Sequence, residues 1–231
     1  MLRDGSMEAG LPMPAEEPRV RLGPPNKVGP RLSRLPIARA RRWKSMYERE
    51  TDRPALRVCV TQSAYIRVCA LAGKDMHNEV GGILVGRWRK DRETGDPFIV
   101  VEGALPARHT RHGSAFLTFT QDTIVALHAE QEARYPRKQI VGWFHTHPRM
   151  GVFLSEYDTW LHHHFFPEAW QVALVIEPHS AAGGFFVRTA DGALDPQHYT
   201  GFWELLGSRP KSLVYWRNLE AVTAVGEGQG G

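Results

Sequence analysis

Residues 145–158 read HTHPRMGVFLSEYD and hold the side chains of this chain that are best suited to chemistry. His145 and His147 lie one residue apart, so on a β-strand both point to the same side. Ser155 follows eight positions after the second histidine, and Asp158 lies three positions beyond it. Imidazole nitrogens and a carboxylate oxygen suit zinc, and three protein ligands leave a fourth position open to water. The stretch therefore predicts a transition-metal site on His145, His147 and Asp158.

The same stretch also has an interpretation as ordinary structure. Residues 155–158, Ser-Glu-Tyr-Asp, have the form of a helix start, with a capping hydroxyl and an acid three positions on. A His-x-His pair by itself is typical of an exposed strand edge. The alternative is thus a strand, a loop and a capped helix without a metal. The complete spacing, with Pro148 directly after the second histidine, favours the metal site.

A second motif lies upstream, at residues 79–86, and reads EVGGILVG. Glu79 opens this run of glycine and β-branched residues, which we expect to form a buried strand. Taken with His-x-His-Pro and Ser-x-x-Asp, it resembles the signature of the JAMM (JAB1/MPN/Mov34) metalloprotease family, over roughly residues 56–190. All the active-site positions of the signature are occupied. The resemblance implies an α+β, MPN/JAB-like (cytidine-deaminase-like) fold in which helices flank a curved mixed β-sheet.

Each of these residues has a role in amide hydrolysis. One catalytic Zn²⁺ on His145, His147 and Asp158 would lower the pKa of a water molecule towards about 7. Glu79, which is not a ligand, is suited to take the proton of the water and deliver it to the departing amine. Ser155 is the candidate donor to the oxyanion, a role typically worth about 3 kcal/mol. The resemblance implies the same roles, with Glu79 and Ser155 catalytic.

Local patterns predict the elements that must position these residues. Residues 139–145 are expected to form a central strand that ends at the histidines, and a helix is expected from Ser155 to near Phe165. Helices and strands mix without regular alternation, which by itself indicates an α+β fold. Further strands are expected at 56–60, 79–88, 98–104, 114–119, 170–177 and 184–189, and helices at 61–72, from 120 or 122 to 134, at 202–206 and at 212–222.

Three neighbouring features are interpreted as structural. Trp143 and Phe144 are expected to be core residues, and Gly142 to permit a close approach of two backbones. The run 162–164, three consecutive histidines, resembles a second metal site. Consecutive helical residues point in different directions, however, so we expect a packed or solvated helix face there.

Composition divides the 231-residue chain into three parts. Residues 1–50, rich in proline and arginine, are expected to be a largely disordered basic extension. They hold eleven Lys+Arg against six Asp+Glu, which more than accounts for the formal net charge of +4. Residues 51–208 are the expected metalloprotease domain, and residues 209–231 a carboxy-terminal helix with a flexible tail. The position of the positive charge argues against a nucleic-acid ligand at the predicted metal site.

Composition also predicts a compartment. No run of eighteen apolar residues exists, so no membrane span is expected. The amino terminus lacks the apolar core of a signal peptide. Cys59 and Cys69 are too few for a disulfide framework and are expected to be small buried side chains in a reducing environment. We therefore expect a cytoplasmic protein.

The resemblance implies a substrate, a ubiquitin-like protein that is cleaved after its carboxy-terminal glycine, in conjugates or in a precursor. The compact chain favours a stand-alone prokaryotic-type enzyme in a bacterial ubiquitin-like conjugation system of the kind used in phage defence. Three alternatives stay open. They are a hydrolase that releases an amino acid from a ubiquitin-like sulfur-carrier protein, a non-catalytic MPN scaffold, and a nucleic-acid-associated factor akin to RadC-like proteins, which share His-x-His-Pro.

Overall fold

The structure is a computed structural model that describes residues 29–49, 54–107, 111–113, 116–118, 121–207 and 211–222. The helices of this part are α1 (Gln62–Ala72), α2 (Gln121–Arg134) and α3 (Glu156–Phe165). Its strands are β1 (Arg31–Ser33), β2 (Ala40–Ser45), β3 (Arg57–Thr61), β4 (Gly81–Asp91), β5 (Pro97–Pro106), β6 (Arg111–Gly113), β7 (Phe116–Thr118), β8 (Gln139–Thr146), β9 (Val172–Glu177), β10 (Ala182–Phe186), β11 (Phe202–Leu205) and β12 (Leu219–Ala221).

Ten of these strands form one mixed sheet in the order β10-β9-β8-β4-β5-β3-β11-β2-β12, with β1 paired to the far end of β4. Parallel pairs, such as β8 with β9 and β3 with β5, are mixed with antiparallel ones. The sheet curves until its ends approach each other. Asn218, next to β12, exchanges two hydrogen bonds of 3.0 Å with the backbone of Gly183 in β10. The expected α+β class with a curved mixed sheet is confirmed.

Strands β4 and β8 lie at the centre of the sheet and pair with a bulge. The register shifts between Leu84 and Val85, so that Val141 of β8 has no partner opposite it in β4. Gly142 lies at this bulge with φ +154°, and a Cβ on it would lie 2.0 Å from the carbonyl oxygen of Val172 in β9. The expected close backbone approach is confirmed. A bulge re-aims the side chains that follow, and here these include both histidines.

Helix α1 packs against β3 and β5 on one face of the sheet. Thr61 is its N-cap, and the Thr61 hydroxyl accepts a hydrogen bond from the Ala64 amide. Val68 and Leu71 of this helix are buried in the core. Gly73 follows the carboxyl end. The predicted bounds of this helix are therefore confirmed.

The amino-terminal segment differs from its predicted state. Within residues 29–49, β1 pairs with β4, and β2 lies between β11 and β12 in the sheet. The prediction that 1–50 is a largely disordered extension is therefore wrong for the described part, 29–49. Residues 1–28 lie outside the described residues.

The charged residues of β2 make this strand hard to recognise in the sequence. The Arg42 guanidinium lies 3.8 Å from the centroid of the Trp203 ring and forms an ion pair with Glu48. A long charged side chain can thus cover apolar surface while its head group stays paired. Residues 29–49 hold seven Lys+Arg and one Glu, a net charge of +6. The positive charge therefore lies on the folded domain.

The carboxy-terminal helices predicted at 202–206 and 212–222 are wrong. Residues 202–205 form β11, which is parallel to β3, and residues 219–221 form β12. Phe202 lies in the core, while Glu204 is fully buried and accepts hydrogen bonds from Trp43 Nε1 and Gln62 Nε2. These partners are distant in sequence, so no local pattern predicts the burial of Glu204. The flexible end expected at residues 226–231 lies outside the described residues.

Two expectations from composition concern the cysteines and a membrane span. Cys59 is buried, Cys69 is half-buried, and neither forms a disulfide. No helix among the described residues is long and apolar enough to cross a membrane.

Candidate metal centre

Strand β8 carries the two histidines to one end of the sheet. His145 is its second-last residue and is fully buried. His147 follows the strand, and its amide donates to the Ile176 carbonyl of β9 at 2.9 Å, which extends the pairing by one residue. The Nε2 atoms of the two rings lie 2.9 Å apart. Both imidazoles therefore converge on one point.

Helix α3 brings Asp158 to the same point. Ser155 is the N-cap: its hydroxyl accepts a hydrogen bond from the Asp158 amide at 3.1 Å, and the Ser155 amide donates to Asp158 Oδ2 at 2.8 Å. This capping box is the helix start that the residue pattern predicts. Asp158 Oδ1 lies 3.3 Å from His145 Nε2, and Oδ2 lies 3.5 Å from His147 Nε2. The hydrogen bonds that cap α3 therefore also hold the Asp158 carboxylate beside the two histidines.

The three side chains fit a metal ion. His145, His147 and Asp158 are buried, and one ligand atom from each lies within 4.8 Å of the other two. Among the described residues, neither histidine Nδ1 has a hydrogen-bond partner. The Nε2 atom of each ring faces the carboxylate and is the candidate ligand atom, because neutral imidazole binds a metal through the ring nitrogen that carries no proton. Two nitrogens and one carboxylate oxygen are a donor set typical of zinc.

Asp158 is held in its anionic form. Burial opposes ionisation, but the charge of His145 and hydrogen bonds from His145, His147 and Ser155 outweigh it and hold the pKa of Asp158 well below its usual range. A carboxylate that is ionised at every physiological pH is ready to act as a ligand.

Glu79 lies beside the histidines. It is 7% exposed, and its Oε1 lies 4.0 Å from His147 Nε2. The next residue, Val80, is tied to Thr146, which lies between the histidines: the Val80 amide donates to the Thr146 hydroxyl at 2.9 Å, and the Thr146 amide donates to the Val80 carbonyl at 2.9 Å. Two motifs that are far apart in sequence therefore meet at one site.

The Ser155 hydroxyl forms a second hydrogen bond with Asp158, which the sequence pattern does not predict. Its hydroxyl donates to Asp158 Oδ2 at 2.7 Å, in addition to accepting from the Asp158 amide. The hydroxyl proton therefore points to the carboxylate in this structure. Ser155 lies beside Asp158, and donation to a substrate would require its hydroxyl to rotate.

Comparison with known families matches residues 54–167 to the JAB family, described as the JAB1/Mov34/MPN/PAD-1 ubiquitin protease. The chain belongs to this family. The matched segment runs from just before β3 to just beyond α3. It therefore contains all of the site residues, from Glu79 to Asp158.

Among solved structures, the solution structure of protein DSY2949 from Desulfitobacterium hafniense is similar to this chain at 21% identity. The match covers 61% of this chain and 91% of that chain, with a TM-score of 0.45. No curated protein matches the chain. Membership of the JAB family rests on the family match.

The histidine run of this JAB domain is not a second metal site in the described structure. His162 is fully buried, whereas His163 and His164 are exposed on α3. Trp143 and Phe144 are fully buried, so their predicted core position is confirmed. The helical geometry that separates consecutive side chains explains why the three rings do not converge.

One residue that holds the site was missed in the sequence. Glu177, at the end of β9, accepts hydrogen bonds from the amides of Arg149 at 3.0 Å, His179 at 2.9 Å and Ser180 at 2.7 Å. Burial opposes its ionisation, but these hydrogen bonds outweigh burial and lower the pKa of Glu177 to about 2. Arg149 has φ +64°, so Glu177 holds a strained turn directly after His147. The one sequence signal was an acid at the end of an apolar strand.

Proposed function

We propose that this JAB domain is a zinc-dependent isopeptidase or peptidase that cleaves after the carboxy-terminal glycine of a ubiquitin-like protein. The observation that carries the proposal is the convergence of His145, His147 and Asp158, with the Glu79 carboxylate 4.0 Å from His147 Nε2. Family membership alone does not distinguish an enzyme from a scaffold. A complete ligand set with an adjacent acid supports the enzyme.

The ligands of the proposed zinc are His145 Nε2, His147 Nε2 and a carboxylate oxygen of Asp158. When bound, Zn²⁺ supplies a Lewis acid and lowers the pKa of a water molecule towards about 7. The capping box of α3 keeps Asp158 in place, and the pairing of His147 with β9 fixes the second ring. Little reorganisation is then needed on binding, which favours both affinity and catalysis.

Glu79 is the proposed general base and acid. It is buried, close to the histidines and outside the set of ligands, so its carboxylate can take a proton from the attacking water. The same carboxyl group then delivers that proton to the departing amine nitrogen. The two hydrogen bonds between Val80 and Thr146 hold this carboxylate near the ligands, and no separate proton carrier is required.

Ser155 is the proposed donor to the oxyanion. As negative charge develops on the carbonyl oxygen, rotation of the hydroxyl transfers its hydrogen bond from Asp158 to that oxygen. The Ser155 amide keeps its own bond to Asp158 Oδ2 meanwhile, so the helix cap survives the rotation. The donor acts only when charge develops, which is the condition for lowering the barrier.

The substrate class rests on family membership together with the surface beside the site. Arg149 and Met150 are exposed on the turn that follows His147, and Met150 is 43% exposed. A cation and an apolar side chain at this position suit contact with an extended peptide tail. A diglycine-type tail is narrow enough to enter a site whose ligands are buried. A bacterial conjugation system used in phage defence is the setting that we propose.

The proposal is tested with ubiquitin and with ubiquitin-like proteins encoded beside this gene, each fused through its terminal glycine to a reporter. We expect cleavage after the glycine in at least one fusion, loss of cleavage in chelator, and recovery with Zn²⁺. His147→Ala removes a ligand, and His163→Ala is its matched control at an exposed histidine. No cleavage of any fusion or of a lysine isopeptide by the zinc-loaded protein would favour the scaffold instead.

Two further alternatives have distinct outcomes. Release of a free amino acid from a sulfur-carrier protein, without cleavage of protein fusions, would favour that hydrolase. For a nucleic-acid-associated factor, the basic segment is residues 29–49, which cannot be removed without deleting β1 and β2. Binding of a nucleic acid by the intact protein, without hydrolysis of any fusion, would favour that factor, and hydrolysis of a fusion would count against it.

A further inference from the structure

A buried hydrogen bond connects the two elements that carry the proposed ligands. Trp143 Nε1, in β8, donates to His162 Nδ1, in α3, at 3.0 Å. Both side chains are fully buried. This contact lies outside the set of residues with a proposed chemical role, and His162 is the one buried member of the histidine run.

Each partner of this bond is next to a ligand. The Trp143 ring stacks on the His145 ring, with centroids 4.5 Å apart and planes 8° from parallel. His162 lies four residues after Asp158, one helical turn further along the same face of α3. The bond therefore connects the strand that contains His145 and leads into His147 to the helix that contains Asp158.

The environment of His162 suits a neutral acceptor. Burial lowers the pKa of His162 to about 3, and the positive charges of Arg188 and His163 act in the same direction. Because Trp143 donates to Nδ1, the single proton of the neutral ring lies on Nε2. Arg188 also donates to the carbonyl oxygens of His162 at 3.4 Å and Phe166 at 2.9 Å, which satisfies the carboxyl end of α3. The helix is thus anchored at both ends.

We propose that His162 is a positioning residue: its hydrogen bond with Trp143 sets the distance between β8 and α3 so that Asp158 meets the two histidines at the metal. The inference deepens the proposed function and rests on the metal site that it assumes. Residues that orient metal ligands typically change metal affinity by 10–100-fold when they are substituted. His162 acts on the metal through Asp158 and touches no substrate.

The test compares Zn²⁺ affinity, measured by competition with a chromogenic chelator, in four folded proteins. His162→Leu fills much of the space but removes the acceptor. His162→Asn keeps an oxygen where Nδ1 lies. His163→Leu is the matched control on the exposed neighbour. We expect His162→Leu to bind Zn²⁺ roughly 10–100-fold more weakly than the wild type, and the Asn variant and the control to bind within about threefold.

Trp143→Phe tests the same bond from the other side, because it keeps a ring against His145 and removes the indole N–H. Trp143→Phe also keeps the inference testable if His162→Leu does not fold. We expect the same loss of affinity, and no further loss in the double variant. Wild-type affinity in both His162→Leu and Trp143→Phe would overturn the inference. A wild type that binds no Zn²⁺ would instead overturn the proposed function.

The spectrum of Co²⁺-substituted protein separates positioning from stability. A role in stability alone lowers the melting temperature without changing the visible absorption of bound Co²⁺. We expect His162→Leu to change that absorption, since the ligand geometry changes, and His162→Asn to restore it. An unchanged spectrum in His162→Leu, with unchanged affinity, would leave His162 a core residue and contradict the inference.

Discussion

The Thr146 hydroxyl accepts a hydrogen bond from the Val80 amide at 2.9 Å, and the Thr146 amide returns one to the Val80 carbonyl at the same distance. Thr146 lies between the two histidines, and Val80 directly follows Glu79. These two hydrogen bonds, one backbone to backbone and one backbone to side chain, hold the proposed base Glu79 in a fixed position relative to the proposed ligands His145 and His147.

Thr146→Val removes this side-chain bond while it keeps the shape of the residue. The Val80 amide loses its acceptor, and Glu79 loses part of its support. We expect kcat to fall roughly 10–100-fold, because a small displacement of a catalytic group has that effect, while the zinc content stays the same. Thr146→Ser keeps the hydroxyl and should retain most of the activity. Equal kcat for the Val variant and the wild type would show that the hydroxyl is dispensable.

Ser155→Ala should have two separable effects. Loss of the N-cap is expected to lower the free energy of unfolding by about 1 kcal/mol. Loss of the oxyanion donor is expected to lower kcat by roughly 10²–10³-fold. Urea unfolding and steady-state kinetics measure the two, with Ser63→Ala, at an exposed serine of α1, as the control. A stability loss without a change in kcat would restrict Ser155 to the helix cap.

Gly142→Ala should unfold or strongly destabilise the domain. A Cβ there would lie 2.0 Å from the Val172 carbonyl oxygen, at a φ of +154°. Backbone atoms cannot yield as a side-chain end can, so we expect a loss of about 3 kcal/mol or more. Gly73→Ala, at φ −79° with its nearest contact at 3.5 Å, is the control. Similar melting temperatures for both variants would contradict the close packing at the bulge.

Glu177 should make stability depend on pH. Its pKa is lowered from 4.5 to about 2 in the folded chain, so its contribution is fully present above about pH 4.5 and is lost as the pH falls towards 2. Glu177→Gln should therefore be less stable than the wild type at pH 7, and the difference should narrow as the pH falls through this range. Urea unfolding of zinc-free protein measures it, with the exposed Glu220→Gln as control. A difference that is constant from pH 7 to pH 3 would contradict the role of the charge.

The ligand residues were predictable because their signals are local. A strand that ends in His-x-His and a helix capped by Ser155 need only neighbouring residues to be recognised. Glu79 required a second motif, since nothing near it in sequence points to the histidines. The bounds of α1 followed in the same way, from Thr61 and Gly73 at its ends.

The elements that escaped prediction depend on distant partners. Strand β2 is concealed by its arginines, because Arg42 is neutralised by Glu48 and covers Trp203 only after the sheet has formed. Strand β11 was predicted as a helix, because the burial of Glu204 is possible only with its hydrogen-bond donors in place. The role proposed for His162 depends likewise on Trp143, nineteen residues away.

The most direct test of zinc-dependent hydrolysis with Glu79 as the base is Glu79→Gln, measured for zinc content and for cleavage of a cognate ubiquitin-like fusion. The amide keeps the size of the carboxylate but cannot take a proton. We predict one zinc ion per chain in both proteins, cleavage by the wild type that chelator abolishes, and cleavage roughly 10²–10⁴-fold slower in the variant. Equal cleavage by the wild type, by the chelated wild type and by Glu79→Gln would contradict this mechanism.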